Sequence, residues 1–414
     1  MREWPDSTAA RRARAVVAVA VVACLVIRMF FILATPGRGD VPIFHRFARA
    51  IGEFGPIYIY EHPVSGNPVY NHPPLAGWML LGMNELDGMG IPFSVLLRLP
   101  ASLADAVSAV LVFEIVRRRA RIRTAVVCAC TVALSPVLVS VSAYHGNTDS
   151  IAVMFALAAA HVLADRKRPV AAGLIAALSV SIKFIPIVTI PVLLVVAARA
   201  GRPVLIRFCA GLTGAMALIW GPVLLTVPEA LKHNVVDYAG SRYRLWGLVR
   251  FADWLGAPES AIAFAMGPGH LLFVLVCVAV GVWLAWRRPS EAPAVVGLTL
   301  ALLLLLSTAS GVQYLAWAAA GLCAVGLWEG LAYNAVVGVA AYLAYSGPNL
   351  VIWTKEALLA GALGWAVLAM AIASGMHKLL AAPRTVDADH LRALSKVATP
   401  RSERAADLFE NSAK

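Results

Sequence analysis

The chain has 414 residues, of which 60% are hydrophobic and only 14% are charged, and its mean hydropathy is +0.77. Soluble domains are about 45–50% apolar and about 25% charged, so this composition excludes an ordinary soluble globule and predicts a polytopic membrane protein. The formal net charge is +12. Because basic residues collect on the cytoplasmic loops of membrane proteins, orientation explains this charge, and we expect no nucleic-acid partner.

The first apolar run covers residues 15–34 and follows a cluster of arginines. It is too long for the apolar region of a secretory signal peptide, and no small-residue cleavage site follows it before Pro36. We interpret it as an uncleaved first span that begins on the cytoplasmic side. Residues 36–72 are predicted to form a polar outer loop, and residues 73–86 a short helix at the outer interface.

Eleven further apolar runs predict the remaining spans. They cover residues 93–116, 124–141, 149–164, 169–182, 184–198, 205–226, 269–286, 294–310, 313–328, 331–348 and 357–376. The prediction is an all-α transmembrane bundle of about twelve spans over residues 1–376, followed by a cytoplasmic polar tail over residues 377–414. The positive-inside tendency places both termini in the cytoplasm, and the alanine- and arginine-rich composition indicates a bacterial inner membrane.

Polar groups are concentrated on the predicted outer face. The cytoplasmic loops are short and basic, which orientation explains, whereas the outer loops over residues 36–72 and 227–268 are long. Long loops inside a compact fold usually carry function. We therefore expect the functional site at the outer face, at the membrane surface.

A single carboxylate, Asp40, follows the first span in the sequence Arg38-Gly39-Asp40. A carboxylate beside apolar walls can have its pKa raised towards the working range, and it can then take a proton from an incoming hydroxyl. This position therefore predicts a general base. The alternative interpretation is a solvated loop charge.

Paired prolines follow His72. Such a pair holds the backbone before it in an extended conformation and then begins a helix, because proline suits the first helical turn. Either this helix start aims His72 at a polar ligand, or it is a helix start and nothing more.

The turn over residues 142–150 joins two apolar runs and reads SAYHGNTDS. Asn147 or its neighbour can cap the next helix, and Asp149 suits the positive end of that helix dipole. The turn also carries Tyr144 and His145, so it holds more hydrogen-bonding groups than a cap requires. These residues are therefore predicted to line a substrate pocket.

Cationic and aromatic groups mark three further positions. Lys183 interrupts two short apolar halves, where a lysine either snorkels to the interface or meets an anion such as a phosphate. Arginines interleaved with aromatic residues run from Tyr238 to Arg250, a pattern that suits either a lipid interface or an anionic head group. Gln313 and Tyr314 open the tenth span, either within an aromatic belt or as substrate ligands.

The order of these features resembles the GT-C superfamily of polyprenyl-phosphate-sugar-dependent membrane glycosyltransferases, which includes mannosyltransferases. The features are an acid after the first span, a proline-pair helix, a His-Gly-Asn-x-Asp turn, a lysine-proline break and a Gln-Tyr-x-x-Trp motif. The resemblance covers roughly residues 14–376. It implies a GT-C-like bundle that transfers a sugar, with inversion, from a polyprenyl-phosphate donor to a hydroxyl of a lipid or glycan acceptor.

The resemblance also implies roles for individual positions. The implied catalytic residues are Asp40 as general base, His72 and Asp149; the donor-phosphate ligands are Lys183, Arg242, Arg244 and Arg250; the substrate ligands are Tyr144, His145, Asn147, Gln313 and Tyr314. Two positions depart from the family pattern. A glycine precedes Asp40 where many relatives have a second acid, and His72 stands where relatives often have tyrosine.

An oxygen-rich metal site needs several clustered carboxylates, and only Asp40 and Asp149 are obvious, so we expect no metal and no other cofactor. The expected partners are the lipid-linked sugar donor, the acceptor and membrane lipids. Two alternatives remain, a secondary transporter or lipid flippase and a non-catalytic assembly subunit. Transporters place polar residues at the bilayer midplane, where this sequence has few charges. Convergence of Asp40, His145, Asp149 and Lys183 on one outer cavity would favour the transferase.

Overall fold

The computed structural model describes residues 8–64, 69–238, 240, 243–309, 311–347, 349–381, 387, 390–391 and 393–395. Within these residues every regular element is helical, which confirms the all-α prediction. The helices are α1 (Thr8–Ala34), α2 (Val41–Tyr58), α3 (Pro74–Gly88), α4 (Phe93–Val116), α5 (Ile122–Ala133), α6 (Pro136–Leu138), α7 (Asp149–Ala164), α8 (Pro169–Ile182), α9 (Ile190–Ala200), α10 (Arg202–Thr226), α11 (Pro228–Leu231), α12 (Leu248–Trp254), α13 (Glu259–Met266), α14 (His270–Arg287), α15 (Ala292–Leu306), α16 (Ala316–Val325), α17 (Leu327–Ser346) and α18 (Lys355–Ala381).

The described helical segments include eight that are long and apolar enough to cross a membrane. They are Thr8–Ala34, Phe93–Val116, Ile122–His145, Arg202–Thr226, His270–Arg287, Pro289–Leu306, Leu327–Ser346 and Lys355–Ala381. Four shorter apolar segments coincide with the other predicted spans, at 149–164, 169–182, 185–200 and 312–325. The chain is therefore an integral membrane protein by length and composition, and the count of about twelve spans stays a prediction.

The predicted polar loop over residues 36–72 contains a helix, so the loop prediction was wrong for α2. This helix buries Phe44, Phe47, Ala48 and Ile51, which recur at the three- and four-residue spacing of one helical face. Its buried face packs on α3, and its chain kinks at Gly55, where φ is +83°. The many prolines, glycines and histidines of this segment concealed the helical spacing.

The third predicted span is interrupted. Helix α5 ends at Ala133, and the hydroxyl of Ser135 accepts a hydrogen bond from the backbone N–H of Leu138 at 3.2 Å, which starts the next turn beside Pro136. The chain then widens into a π-helical segment, Val139–His145. Such wide turns are rare in helices and are frequent at functional sites.

Two buried arginines tie this interrupted span to its neighbours. Arg98 of α4 donates to the carbonyls of Ile32 and Thr35 at 2.8 Å each and to that of Ala143 at 3.1 Å. It thereby satisfies carbonyls at the end of α1 that have no water available within a bilayer. Arg98 also joins the end of α1 to the π-helical segment, and these contacts position the segment that follows α1.

The second arginine, Arg28, lies in the middle of α1 and pairs with Asp105 of α4 at 3.2 Å, and each side chain is 1% exposed. Arg28 also donates to the carbonyl of Ala133 at 2.9 Å. Asp105 in turn accepts hydrogen bonds from Ser142 and Ser150, which flank the turn between α5–α6 and α7. The midspan region therefore carries a charged pair that the sequence analysis overlooked.

Candidate active site

Asp40 lies at the end of the turn after α1, where it precedes the first residue of α2. Its Oδ2 atom accepts a hydrogen bond from Nδ2 of Asn147 at 2.5 Å. Nε2 of His145 lies 3.3 Å from the same oxygen, within ion-pair distance. The structure thus joins the first predicted outer loop to the turn over residues 142–150, more than 100 residues further along the chain.

The glycine before Asp40 has a steric reason. Gly39 has a φ of +77°, which L side chains rarely adopt, and a Cβ atom at this position would collide with the imidazole of His145. A second acid at position 39 would therefore displace His145. This contact explains the departure from the paired acids of many GT-C relatives.

Asp149, at the first position of α7, is held by two other segments. Its Oδ1 accepts a hydrogen bond from Nε1 of Trp317 at 2.9 Å, and its Oδ2 lies 3.5 Å from Nζ of Lys183. The backbone N–H of Asp149 donates to Oδ1 of Asn147 at 2.9 Å. Asn147 therefore contacts both acids, since its amide nitrogen serves Asp40 and its amide oxygen serves the start of α7.

Lys183 is brought to Asp149 by a break between helices. Helix α8 ends at Ile182, and Lys183 adopts an extended conformation before a short 3₁₀ turn over Ile185–Thr189. Its side chain is 14% exposed, and its charge also acts on Asp40 and His72. The structure thus brings Asp40, His145, Asp149 and Lys183 together at the end of the bundle that the charge pattern predicts to face outward.

His72 lies in an aromatic enclosure beside this cluster. Its ring centroid is 4.7 Å from that of Phe44, 5.7 Å from Tyr70 and 6.0 Å from Phe47. The hydroxyl of Tyr60 donates to the His72 carbonyl at 2.8 Å and so fixes the backbone. Burial lowers the pKa of His72 to about 3, with a further lowering from Lys183, so the ring is neutral at physiological pH.

The pKa of Asp40 is lowered, whereas the sequence analysis expected it to be raised. Burial alone would raise this pKa, but the attraction of His145 and Lys183 and the hydrogen bond from Asn147 outweigh burial and bring it to about 2. The expectation was wrong because it considered only the apolar walls. The carboxylate is ionised at neutral pH and is ready to accept a proton.

Several buried polar atoms at this site lack a hydrogen-bond partner among the described residues. They are Nδ1 of His72, both ring nitrogens of His145, Oγ1 of Thr148 and Oδ2 of Asp149. Buried polar groups are normally satisfied by protein or by ordered water. A concentration of unsatisfied donors and acceptors around one turn is the pattern of a site that binds a polar ligand.

The aromatic residues predicted to bind substrate lie around the same cluster. Tyr314 stacks on Trp317 with ring centroids 4.5 Å apart, and Tyr144 packs edge-on against Tyr345 at 5.8 Å. Gln313 directly precedes Tyr314 in the turn before α16.

Two of the predicted arginine ligands are engaged by carboxylates, and their role as phosphate ligands stays a prediction. Arg244 forms an ion pair with Glu259, and its Nη1 lies 3.9 Å from Asp253. Arg250 lies 3.5 Å from Asp253 and its guanidinium stacks over the ring of Trp254. In the described structure these two arginines thus pair with carboxylates of their own loop. Arg242 lies outside the described residues.

Two contributors to the site were missed. Trp317 belongs to the Gln-Tyr-x-x-Trp motif but was given no role in the site, yet it donates to Asp149. Tyr238 hydrogen-bonds with Asn71 and lies close enough to Asp40 for that charge to raise its pKa, an effect that follows the larger effect of burial. The Gln-Tyr-x-x-Trp spacing, which puts Trp317 one helical turn after Tyr314, was the sequence feature that could have assigned Trp317 to the site.

Within the described residues no group of three or more His, Cys, Asp or Glu side chains is arranged to hold a metal ion.

Fold and site together define an integral membrane protein with a cluster of buried charged and polar side chains at one end of a helical bundle. Residues 71–225, more than a third of the chain, match the family model described as dolichyl-phosphate-mannose-protein mannosyltransferase. The match confirms the resemblance to GT-C mannosyltransferase-like membrane glycosyltransferases. It includes His72, the turn over residues 142–150 and Lys183, and it begins after Asp40. A search among curated proteins gave no match.

Proposed function

We propose that the protein transfers a sugar from a polyprenyl-phosphate donor to a hydroxyl of a lipid or glycan acceptor at the outer face of the membrane. The observation that carries this proposal is that an ionised carboxylate, Asp40, and a cation, Lys183, lie in one buried cluster whose polar atoms are incompletely hydrogen-bonded. The name of the matched family favours mannose as the sugar. A donor whose tail stays in the bilayer requires such a pocket at the membrane surface.

Asp40 is the general base of this proposal. Both described contacts of its carboxylate are made to Oδ2, from Asn147 and His145, so Oδ1 is the oxygen that takes the acceptor proton. A pKa near 2 makes Asp40 a weak base. Because Lys183 is among the groups that lower this pKa, a donor phosphate that pairs with Lys183 would raise it and strengthen the base.

Lys183 is the proposed phosphate ligand. Its Nζ lies 3.5 Å from Oδ2 of Asp149, a loose contact that is longer than a normal charge-assisted hydrogen bond. The donor phosphodiester carries one negative charge, as the carboxylate does, and gains a second when its bond to the sugar breaks, so it can take over this ammonium. Asp149 would then keep its hydrogen bond from Trp317 and orient the turn.

The chemical step follows from these placements. The acceptor oxygen attacks the anomeric carbon, the bond from that carbon to the phosphate oxygen breaks, and the acceptor proton passes to Asp40. The polyprenyl phosphate leaves with the bonding electron pair, and Lys183 stabilises the charge that develops on it. Attack from the side opposite the phosphate inverts the anomeric configuration.

A secondary transporter or lipid flippase is the alternative, and the midspan pair Arg28–Asp105 is the feature that favours it. This pair is enclosed, however, since both side chains are 1% exposed and Asp105 accepts from two serines. A transport site needs a polar path that opens to one side and then the other. The enclosed pair fits a structural role better.

The test is transfer by the purified protein in lipid vesicles. We expect labelled polyprenyl-phosphate mannose, and no nucleotide sugar, to yield a glycosylated lipid or glycan product with inverted anomeric configuration. A second assay on the same vesicles follows movement of the labelled lipid between leaflets. Leaflet exchange without any glycosylated product, across a panel of polyprenyl-phosphate sugars and envelope-lipid acceptors, would contradict the transferase and favour the flippase.

A further inference from the structure

The end of the bundle opposite the pocket carries a second site-like feature. The loop between α4 and α5 encloses a groove of about 700 Å³ that is lined by Arg117, Arg118, Arg119, Ala120, Arg121, Ile122 and Arg123. We call this the basic groove. Orientation of the chain requires basic residues on this side, but it does not require five arginines to surround one cavity.

Two of the five arginines are paired with acids. Arg119 donates to Asp165 at 2.9 Å and to Glu291 at 2.7 Å. Arg117 pairs with Glu114 at 2.5 Å, and the exposed Arg166 lies 3.5 Å from the same carboxylate. The nearby acids are therefore already engaged by Arg117, Arg119 and Arg166.

The other three arginines have no carboxylate within ion-pair distance among the described residues. They are Arg118, which is partly buried, and Arg121 and Arg123, which are exposed. Burial lowers the pKa of Arg118, and repulsion from Arg166 and Arg117 lowers it further, although Asp165 and Glu114 act in the opposite direction. An anion in the groove would relieve this repulsion.

The groove lies at the lipid boundary. It begins directly after the last residue of α4 and ends with the first turn of α5, and both helices belong to segments that are apolar and long enough to span a membrane. Val110 of α4 and Val127 of α5 are 46% and 42% exposed, as expected for side chains that face acyl chains. An occupant with an anionic head and apolar tails matches both surfaces.

We propose that the basic groove binds the phosphate head group of an anionic membrane phospholipid, with Arg118, Arg121 and Arg123 as its ligands. Guanidinium groups bind phosphate oxygens in a bidentate geometry, and three of them around one cavity can contact a phosphate from several sides. The anionic lipids of the cytoplasmic leaflet supply such a group at this depth. This site is distinct from the proposed donor pocket and does not depend on the proposed function.

The test measures which phospholipid the intact protein retains. Wild type is reconstituted in nanodiscs of equal phosphatidylglycerol and phosphatidylcholine content, extracted in mild detergent, and analysed by native mass spectrometry. We expect phosphatidylglycerol to be retained over phosphatidylcholine. The variant Arg118→Gln/Arg121→Gln/Arg123→Gln should lose this preference by roughly a hundredfold in affinity, since each basic residue near an anionic surface contributes about 1 kcal/mol.

Matched variants separate the groove from bulk charge. Arg199→Gln/Arg202→Gln/Arg207→Gln removes the same charge from the last turn of α9 and the first two turns of α10, at the same end of the bundle, and it should keep the preference. Arg118→Lys/Arg121→Lys/Arg123→Lys keeps the charge and orientation and should retain part of it. Equal losses in the two glutamine variants would overturn the proposal. Displacement of the lipid by inorganic phosphate, with phosphate binding lost only in the groove variant, would assign the site to a soluble anion instead.

Discussion

Two polar clusters lie at opposite ends of this bundle, and they are built differently. At the basic end, the guanidinium of Arg119 donates to Asp165, Glu291 and the carbonyls of Ser290 and Ile115, at 2.7–3.0 Å. Burial would lower the pKa of Arg119, but its two carboxylate partners raise it above the ordinary value. All three guanidinium nitrogens of Arg119 are therefore hydrogen-bonded, and this network, which we call the Arg119 network, connects three loops.

The cluster at the other end is incompletely satisfied. Oδ2 of Asp149, both nitrogens of His145 and Nδ1 of His72 are buried without a hydrogen-bond partner among the described residues. Ion pairs in which every donor is hydrogen-bonded stabilise the fold. Buried polar atoms without a partner can instead form hydrogen bonds to a bound ligand. The comparison therefore predicts that substitutions in the Arg119 network reduce stability and that substitutions in the cluster around Asp40 and Asp149 reduce activity.

The largest stability effect is expected at Arg119. Arg119→Gln leaves Asp165 and Glu291 without their shared cation, and breaking a buried pair costs about 3–5 kcal/mol. The measurement is thermal unfolding in detergent, with Arg199→Gln as a control arginine at the same end. Transfer per folded molecule should stay near the wild-type rate. An unfolding temperature equal to that of the control would break the comparison.

Next in size is the midspan pair. Asp105→Asn leaves Arg28 buried without a counter-ion, and we expect the free energy of unfolding to fall by about 3 kcal/mol. This is the lower end of the range for buried ion pairs, because the asparagine oxygen can still accept hydrogen bonds from Ser142 and Ser150. The double variant Arg28→Met/Asp105→Leu removes both charges, and unfolding measurements should show most of the stability restored. A double variant as unstable as the single one would contradict the pairing.

A smaller effect, on substrate affinity, is expected at Lys183. Lys183→Met removes the proposed phosphate ligand, and a lost hydrogen bond to a charged group costs about 1.5–3 kcal/mol, which corresponds to a roughly 10–150-fold higher KM for the donor. The control is Lys232→Met, an exposed lysine that pairs with Asp237 at 2.8 Å. The kinetic comparison fails if both variants keep the wild-type KM.

The last effect is a pH dependence of stability at His72, of at most about 2 kcal/mol between pH 7 and pH 5. Its pKa is about 3 in the folded chain against 6.5 when exposed, so between these values the unfolded chain binds a proton that the folded chain does not. Stability should therefore fall as pH drops from 6.5 towards 3, by at most about 1.4 kcal/mol per pH unit. His72→Gln removes this dependence between pH 7 and pH 5, and His233→Gln should keep it. Unchanged unfolding curves in His72→Gln would show that the ring is not buried and neutral.

The sequence predicted correctly those features that depend only on residues close together in the chain. The apolar runs predicted α4 and α7 closely, because hydropathy and length alone determine whether a segment can enter a bilayer. The proline pair placed the start of α3, and Lys183 was placed at a helix break. Each of these features depends on neighbours within a few residues.

The sequence was less informative where distant residues meet. The lowered pKa of Asp40 depends on His145 and Lys183, which lie more than 100 residues away. The arginines of the second outer loop were predicted as phosphate ligands, yet Arg244 and Arg250 pair with acids of that loop, whose folding no local pattern revealed. The roles of Asp40, Asp149 and the other predicted site residues stay predictions.

The most direct test of the proposed mechanism is to measure transfer and thermal unfolding together for Asp40→Asn. Asparagine keeps the shape and a hydrogen-bonding oxygen but cannot take the acceptor proton, so transfer should fall by about 10²–10⁴-fold. The unfolding temperature should fall far less than in Arg119→Gln, and Asp237→Asn, an exposed acid of the second outer loop, should keep full transfer. An Asp40→Asn protein that is folded and transfers sugar at the wild-type rate would contradict the assignment of Asp40 as the base.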